Sequence, residues 1–377
     1  MMAREAASAI RPAMTSLAEE IWDRSIDRWG PRQATVLVGR HQALSDALER
    51  AVRFAKSDLP VLISGETGTG KELFTRALYL MSSRCRSPFL SVNCAQYQDG
   101  NLIASQLFGH RRGSFTGATT DHLGIFEEAD GGIVFLDEVG ELTPPAQAML
   151  LRTLSEGEIV PVGGTHAKRV NVRVVAATSR DLRAMIEAGS FRADLYFRLR
   201  QLHIRVPPVR ERGSDWELIL DYYLQGGNAA RGEGKQFSVE AIALLSEYLW
   251  PGNVREVRSL VDTGLQLSTG PVIQPNDFAE ALEARSREAQ LDSIQMANDL
   301  SERYAALTSK QGTFWELVHQ PFMDRELSRA QVRRLVGRGL DEVRGSYKQL
   351  LALFGVAPHD YLRFMDFLRH QRLKPLR

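Results

Sequence analysis

From Val36 to Val206, short apolar runs alternate with stretches whose apolar positions recur at helical spacing. The runs Val61–Ser64, Phe89–Val92, Ile133–Leu136, Val172–Ala176 and Leu202–Val206 predict strands apolar on both sides. Such strands belong in a parallel sheet covered by helices on both faces. After Pro207 and Pro208 the pattern changes. From Glu211 to about Glu283 no strand signal survives, and FSVEAIALLSEYLW and NVREVRSLVDTGLQLS predict amphipathic helices around the Trp250-Pro251-Gly252 break. Residues 1–35 hold at most one amphipathic helix, with Leu17, Ile21, Trp22, Ile26 and Trp29 at helical spacing. A polar stretch from Ala284 to Ser293 predicts a linker, and the remainder is helical. The expected organisation is a short N-terminal segment (1–35), an α/β subdomain (36–208), a smaller helical subdomain (209–283) and a C-terminal helical domain (284–377).

Charge sharpens this division. The net charge of +1 hides an asymmetry, because Asp324 to Arg377 hold twelve Lys/Arg against six Asp/Glu. A basic end on a near-neutral body fits a nucleic-acid-binding appendage, although solvated helix faces also carry excess Arg. Cys85 and Cys94 are the two cysteines, in no metal-type spacing, which suits a reducing compartment. The start, MMAREAASAIRPAM, carries charges where a signal peptide needs an apolar core, and no run approaches a membrane span. The expectation is a soluble, cytoplasmic protein with no membrane partner.

Chemistry concentrates at three places. Gly65-Glu66-Thr67-Gly68-Thr69-Gly70-Lys71 follows the first strand as G-x-x-x-x-G-K, the spacing of a phosphate-cradling loop. Its glycines let backbone N–H groups approach an oxyanion, and Lys71 adds a charge at the start of the next helix. Glu72 stands where most such loops carry Ser or Thr, so the hydroxyl that helps hold magnesium must be replaced from elsewhere. Second, Gly131-Gly132-Ile133-Val134-Phe135-Leu136-Asp137-Glu138 is a glycine turn, a buried strand and two acids at its carboxyl end, where ligand crevices of parallel sheets lie. Asp137 would fix magnesium and Glu138 would polarise the attacking water. Thr178 ends another strand; its hydroxyl either senses the terminal phosphate or caps a helix. Third, in LFGHRRGSFTGATT a helix running from Leu102 through Phe108 is interrupted by Gly109, Gly113 and Gly117, with Phe115-Thr116 between the last two. An aromatic at a hinged tip either docks on a partner or tucks back into its own domain.

GETGTGKE, LFGHRRGSFTGA, GGIVFLDEVGEL, FRADLYFRL, VPPVRER and WPGNVREV occur in this order over about Val36 to Glu283. The chain thereby resembles the bacterial enhancer-binding proteins, sigma-54-dependent transcriptional activators of the AAA+ class. The resemblance implies an AAA+ parallel-sheet ATPase domain with an α-helical lid, followed by an all-α C-terminal domain with a helix-turn-helix. It implies ATP and Mg2+ as cofactors, with Gly65 to Glu72 on the phosphates, and Glu72 is usual for the family. Ala129 and Asp130 are included with Gly131 to Glu138 in the nucleotide-binding strand motif. Asn93 is similar to the residue that pairs with the catalytic Glu, Arg192 and Arg198 to arginine fingers given to a neighbouring subunit's ATP, and Arg255 to the second sensor arginine. Without the motif, Arg192 and Arg198 would read as salt-bridged surface residues. Gly113, Ser114, Phe115, Thr116, Gly117 and Ala118 are similar to the loop that meets sigma-54 in that family, Ser114 standing for the usual Ala. Ser179 replaces an Asn often seen after the sensor threonine, and Pro161 a charged residue of the second loop.

In the tail, GSYKQLLALFGVAPHDYLRFMDFLR predicts a helix Tyr347–Phe354, a turn at Gly355 with positive φ, and a second helix beginning near Pro358. Leu350, Leu351, Phe354 and Val356 would pack against Tyr361, Phe364, Met365 and Leu368. This resembles a Fis-type helix-turn-helix, with His359, Arg363 and Arg369 as DNA contacts and Arg329, Arg333 and Arg334 flanking the backbone; a dimerising bundle is the other reading. The resemblance implies a homohexameric ring that binds enhancer DNA and acts on sigma-54 RNA polymerase holoenzyme to convert closed to open promoter complexes; control is expected from a separate regulatory protein, from expression level or through the short helix around Trp22. The alternatives are an AAA+ remodeller of a non-transcriptional target and a DNA-binding regulator with weak ATPase.

Overall fold

The computed structural model describes residues 12–97, 100–115, 117–280, 300–323 and 329–370, with single positions 282, 327 and 373. Thr116 and the expected linker 284–293 lie outside the described residues. The chain forms two units, residues 1–279 and 280–377.

In the first unit, α1 (Ser16–Trp29) and α2 (Gln42–Ala55) precede β1 (Val61–Ser64), α3 (Lys71–Leu80) and β2 (Phe89–Asn93). Then come α4 (Gly100–Phe108), α5 (Ile125–Glu128), β3 (Ile133–Asp137), α6 (Pro144–Glu156) and a small antiparallel pair, β4 (Glu158–Ile159) with β5 (Lys168–Arg169). β6 (Arg173–Thr178), α7 (Leu182–Glu187), α8 (Ala193–Leu199) and β7 (Leu202–Arg205) complete the α/β part. The five main strands are parallel in the order β2-β3-β6-β1-β7. Their alternation sends Leu62, Val134, Leu136, Val174 and Ala176 into one core with residues of α4, α6 and α8. Val61, Ile63, Ile133, Phe135, Val175 and Ala177 enter a second core with α1, α2 and α3. Each large apolar side chain so buried stabilises the fold by roughly 1.5–3 kcal/mol, and both faces being dry is why the strands read as continuous apolar runs.

β2, β3 and β6 run one or two residues further than the apolar runs suggest. Asn93, Asp137 and Thr178 are thus locked into the ladder, Asn93 opposite Asp137 and Thr178 opposite Ser64. Arg173 is buried at the start of β6, where it donates to the carbonyls of Phe54 (2.7 Å) and Ala55 (3.1 Å) at the end of α2. Burial pushes its guanidinium down to about 10. A cation on helix-terminal carbonyls is favourable and pins α2 to the sheet.

The N-terminal helix is part of this unit. Thr15 caps it by accepting from Ala18 N, Gly30 ends it with φ 81°, and Ala18, Ile21 and Trp22 are buried in the second core. Trp29 stacks on Tyr79 of α3 at 5.8 Å.

The smaller helical part holds α9 (Asp215–Arg231), α10 (Val239–Ser246) and α11 (Asn253–Leu267). It also contains a strand pair the sequence pattern missed: β8 (Gln236–Phe237) runs parallel to β9 (Val272–Ile273). Two residues are too few to give an alternation signal.

The second unit contains α12 (Gln320–Met323), α13 (Arg329–Glu342), α14 (Tyr347–Leu353) and α15 (Tyr361–His370). Gly355 turns between α14 and α15 with φ 65°, and a 3-10 turn Pro358–Asp360 leads into α15. Leu350, Leu351, Phe354, Val356, Phe364, Met365 and Leu368 share one core, with Tyr361 packed against it. α13 approaches α14 closely: a Cβ on Gly339 would lie 2.5 Å from Leu350 Cδ1 and 2.6 Å from Phe354 Cζ.

Candidate active site

β1 delivers the chain to the glycine loop at the carboxyl edge of the sheet, where Gly65 N donates to the carbonyl of Thr178 on β6 (3.3 Å). Gly68 (φ 80°) and Gly70 (φ 95°) take left-handed conformations that L side chains rarely adopt, so the loop needs glycine there. Lys71 begins α3 and is buried; its Nζ donates to the carbonyls of Gly65 (3.1 Å) and Glu66 (3.4 Å) and lies 3.4 Å from Glu138 Oε1. The ammonium is thus folded into the loop it would share with a phosphate. Glu72 turns outward to pair with Arg76 at 2.9 Å.

Asp137 and Glu138 end β3 at the same edge. Burial, and then the charge of Glu138, hold the Asp137 carboxyl above the usual carboxylate range, while Lys71 pulls it back. Glu138 has φ 50° and ψ 52°, a left-handed backbone that costs a non-glycine residue about 1–3 kcal/mol. Its Oε2 accepts from both the amide N and the Oγ of Ser179, each at 2.9 Å. Asn93 does not pair with Glu138 here: its Oδ1 accepts from Ala95 N (2.9 Å), capping a 3-10 turn, and Ser179 holds the glutamate instead. Thr178 is buried and its Oγ1 accepts from Arg180 N (3.0 Å), so its hydroxyl starts the next turn.

The expected nucleotide contacts Ala129, Asp130, Gly131, Gly132, Ile133, Val134, Phe135 and Leu136 are not at this edge. Ile133 to Leu136 are buried in the two cores, and Ala129 to Gly132 precede β3 at its amino end, roughly 15 Å along the strand from the acids. Asp130 Oδ1 accepts from Asn171 N there (2.7 Å), and a Cβ on Gly132 would meet the Pro88 carbonyl at 2.2 Å. These residues build the strand that carries the acids. Cys94 sits nearby; burial, then the Asp137 and Glu138 charges, push its thiol up to about 12, which keeps it from thiolate chemistry.

The helical subdomain closes on the loop through residues that the sequence motifs contain but whose role spacing did not disclose. Asn253, fully buried with φ 53°, accepts from Val209 N at Oδ1 (2.8 Å) and donates from Nδ2 to the Thr67 carbonyl (3.1 Å) and Glu66 Oε2 (3.2 Å). Arg210 pairs with both carboxylate oxygens of Glu66, at 2.6 and 2.5 Å, and holds that carboxyl below its usual range. Gly68 fits beneath Gly252, whose carbonyl a Cβ would meet at 2.3 Å, and Arg255 Cβ is beside the same point. Arg255 itself is exposed. Asn253→Ala would orphan the buried Val209 N–H, and is expected to destabilise the protein by about 1–3 kcal/mol, read by denaturant unfolding.

Arg192 stands just before α8 and forms a two-point pair with Asp194 (2.8 and 3.1 Å), whereas Arg198 Nε donates to the Leu154 carbonyl (3.0 Å). In the glycine-hinged loop, His110 bridges to His122 and Val162, and Gly109, Gly113 and Gly117 all have positive φ. Phe115 is half-buried, packed edge-on against the His110 ring at 4.9 Å. Ser114 packs on the second loop, where a Cβ on Gly163 would lie 2.5 Å from its own. Ala118 N closes the tip onto the Phe115 carbonyl (3.0 Å). In the second unit, His359 and Arg369 are exposed, while Arg363 lies over the Trp315 ring at 4.1 Å.

Residues 37–205 match the sigma-54 interaction domain, and residues 210–294 match the AAA+ ATPase lid domain. A Nif-specific regulatory protein of Rhizobium leguminosarum bv. trifolii is 43% identical over 248 residues, which is 66% of this chain and 70% of that protein. The chain belongs to the sigma-54-dependent transcriptional activators. The activator is also 45% identical over 237 residues to the hydrogenase transcriptional regulatory protein HoxA of Cupriavidus necator, covering 63% of this chain and 49% of that one. Crystal structures of NtrX from Brucella abortus in complex with ATP and with ADP each superpose with a TM-score of 0.60 at 25% identity. The ATP complex covers 89% of the activator and 69% of NtrX. Among the described residues, no helix of the activator is long and apolar enough to cross a membrane.

Proposed function

We propose that this activator hydrolyses ATP and uses the cycle to convert the closed sigma-54 polymerase complex at a promoter into an open one. The observation that carries the reading is the convergence of Lys71, Asp137 and Glu138 on one edge of the sheet, under a helical lid clamped to the phosphate loop. ATP phosphates would replace the loop carbonyls as partners of Lys71, and Glu138 would take a proton from the attacking water. Among the described residues no cluster of three or more acids, His or Cys could hold a metal by itself. That suits magnesium, which is bound through one or two carboxylates together with substrate phosphates, and here Asp137 would hold it. Bound there, it would neutralise charge on the phosphate oxygens. Asp137 and Glu138 crowd two negative charges against one lysine, an arrangement that accepts a cation.

Arg192 and Arg198 would serve a neighbouring subunit's ATP in a ring, which we take to be a hexamer; their exchange of Asp194 and Leu154 for a γ-phosphate accompanies assembly. The loop from Gly113 to Ala118 would meet sigma-54. In the second unit, His359 and Arg369 would contact DNA, which their exposure supports, and Arg363 would do so from its seat on the Trp315 ring. The test combines phosphate release with footprinting on promoter DNA carrying sigma-54 polymerase. Magnesium ATP should open the promoter, chelation of magnesium should stop both signals, and removal of residues 345–377 should erase the activator's footprint. Promoter opening that persists without phosphate release would overturn the reading.

A further inference from the structure

The Glu138 carboxylate is held at both oxygens. Oε1 faces the Lys71 ammonium at 3.4 Å, and Oε2 accepts two hydrogen bonds from a single residue, Ser179. The two restraints differ in kind. Lys71 is also the phosphate ligand of the loop, so ATP draws it away from Oε1. Ser179 is the first residue after β6, directly following Thr178, which the ladder fixes opposite Ser64.

We propose that Ser179 is the positioning residue of the hydrolytic step: it anchors Oε2 so that Oε1, once Lys71 has moved to the phosphates, is the one oxygen free to accept a proton. The assignment deepens the ATPase reading above and rests on it. Water gives a proton to Oε1 while its oxygen bonds to the γ-phosphorus. The bond from that phosphorus to the bridging oxygen breaks, its electron pair stays on the β-phosphate of ADP, and Glu138 later returns the proton to solvent. A glutamate on left-handed backbone has few side-chain placements that point at the phosphates, and the two Ser179 bonds select one.

The test compares Ser179→Ala and Ser179→Thr in the full chain, with phosphate release followed against ATP concentration. Alanine removes the Oγ bond and keeps the amide bond. We expect kcat to fall about tenfold with KM for ATP within about twofold. Threonine, which keeps the hydroxyl, should restore kcat. In a Glu138→Gln background, Ser179→Ala should cost nothing further, because the two act as one unit. A residue with a merely structural role would raise KM along with the loss of kcat and would lower the residual rate of Glu138→Gln as well. If wild-type protein turns over and Ser179→Ala matches it in rate, the assignment is overturned alone; a wild type without turnover overturns the ATPase reading and the assignment with it.

Discussion

Glu138→Gln is expected to leave ATP bound and to lower phosphate release by at least about 10²-fold. The amide keeps the shape of the side chain and an oxygen for the Ser179 donors, but it has no basic site for the water proton. It also removes the negative charge facing Lys71 at 3.4 Å, which frees the ammonium for phosphate. ATP affinity should therefore hold or rise while turnover disappears. Filter retention of labelled ATP beside a phosphate-release assay separates the two quantities. A variant that hydrolyses at the wild-type rate would remove Glu138 from the chemistry.

The second large effect is expected at the glycine-hinged tip, and it has the opposite profile. Phe115→Ala, or Thr116→Ala beside it, should leave ATP hydrolysis within about twofold of wild type and reduce promoter opening more than tenfold. Phe115 spends its ring on His110, a contact between aromatic rings worth about 0.5–1.5 kcal/mol, so exchanging it for a partner surface is inexpensive. Left-handed glycines at 109, 113 and 117 let the segment swing without strain. Permanganate reactivity of the promoter, measured with phosphate release in one sample, reads both functions. Full opening by either variant would refute the loop's part.

The strands were legible because both faces of the sheet are dry, which leaves an unbroken apolar signature around Val61, Ile133 and Val174. The glycine loop was legible for a different reason: few backbones need glycine at 68 and 70 and a lysine directly after. What escaped was the polar wiring of the site, decided by tertiary contact. Ser179 is one hydroxyl just past a strand, and only the register of β6 beside β3 puts it on Glu138. The family resemblance pairs Asn93 with Glu138, yet Asn93 lies opposite Asp137 and caps its own turn, a local bond that competes well for Asn side chains. Spacing likewise cannot show that Ile133 to Leu136 support the acids from within the core while Ala129 to Gly132 lie at the far end of the strand. Arg363 reads as a free cation until Trp315, far off in sequence, is seen beneath it.

Asn253 ties together three stretches of chain: the entry to the helical subdomain at Val209, the start of α11, and the Thr67 carbonyl of the glycine loop. An engineer who transplants that subdomain from a relative must therefore carry its acceptors along with it. A graft joined anywhere between Arg210 and Gly252 would reunite the amide with native neighbours only if Val209 and the loop kept their places. The lid of this protein is thus not a detachable cassette.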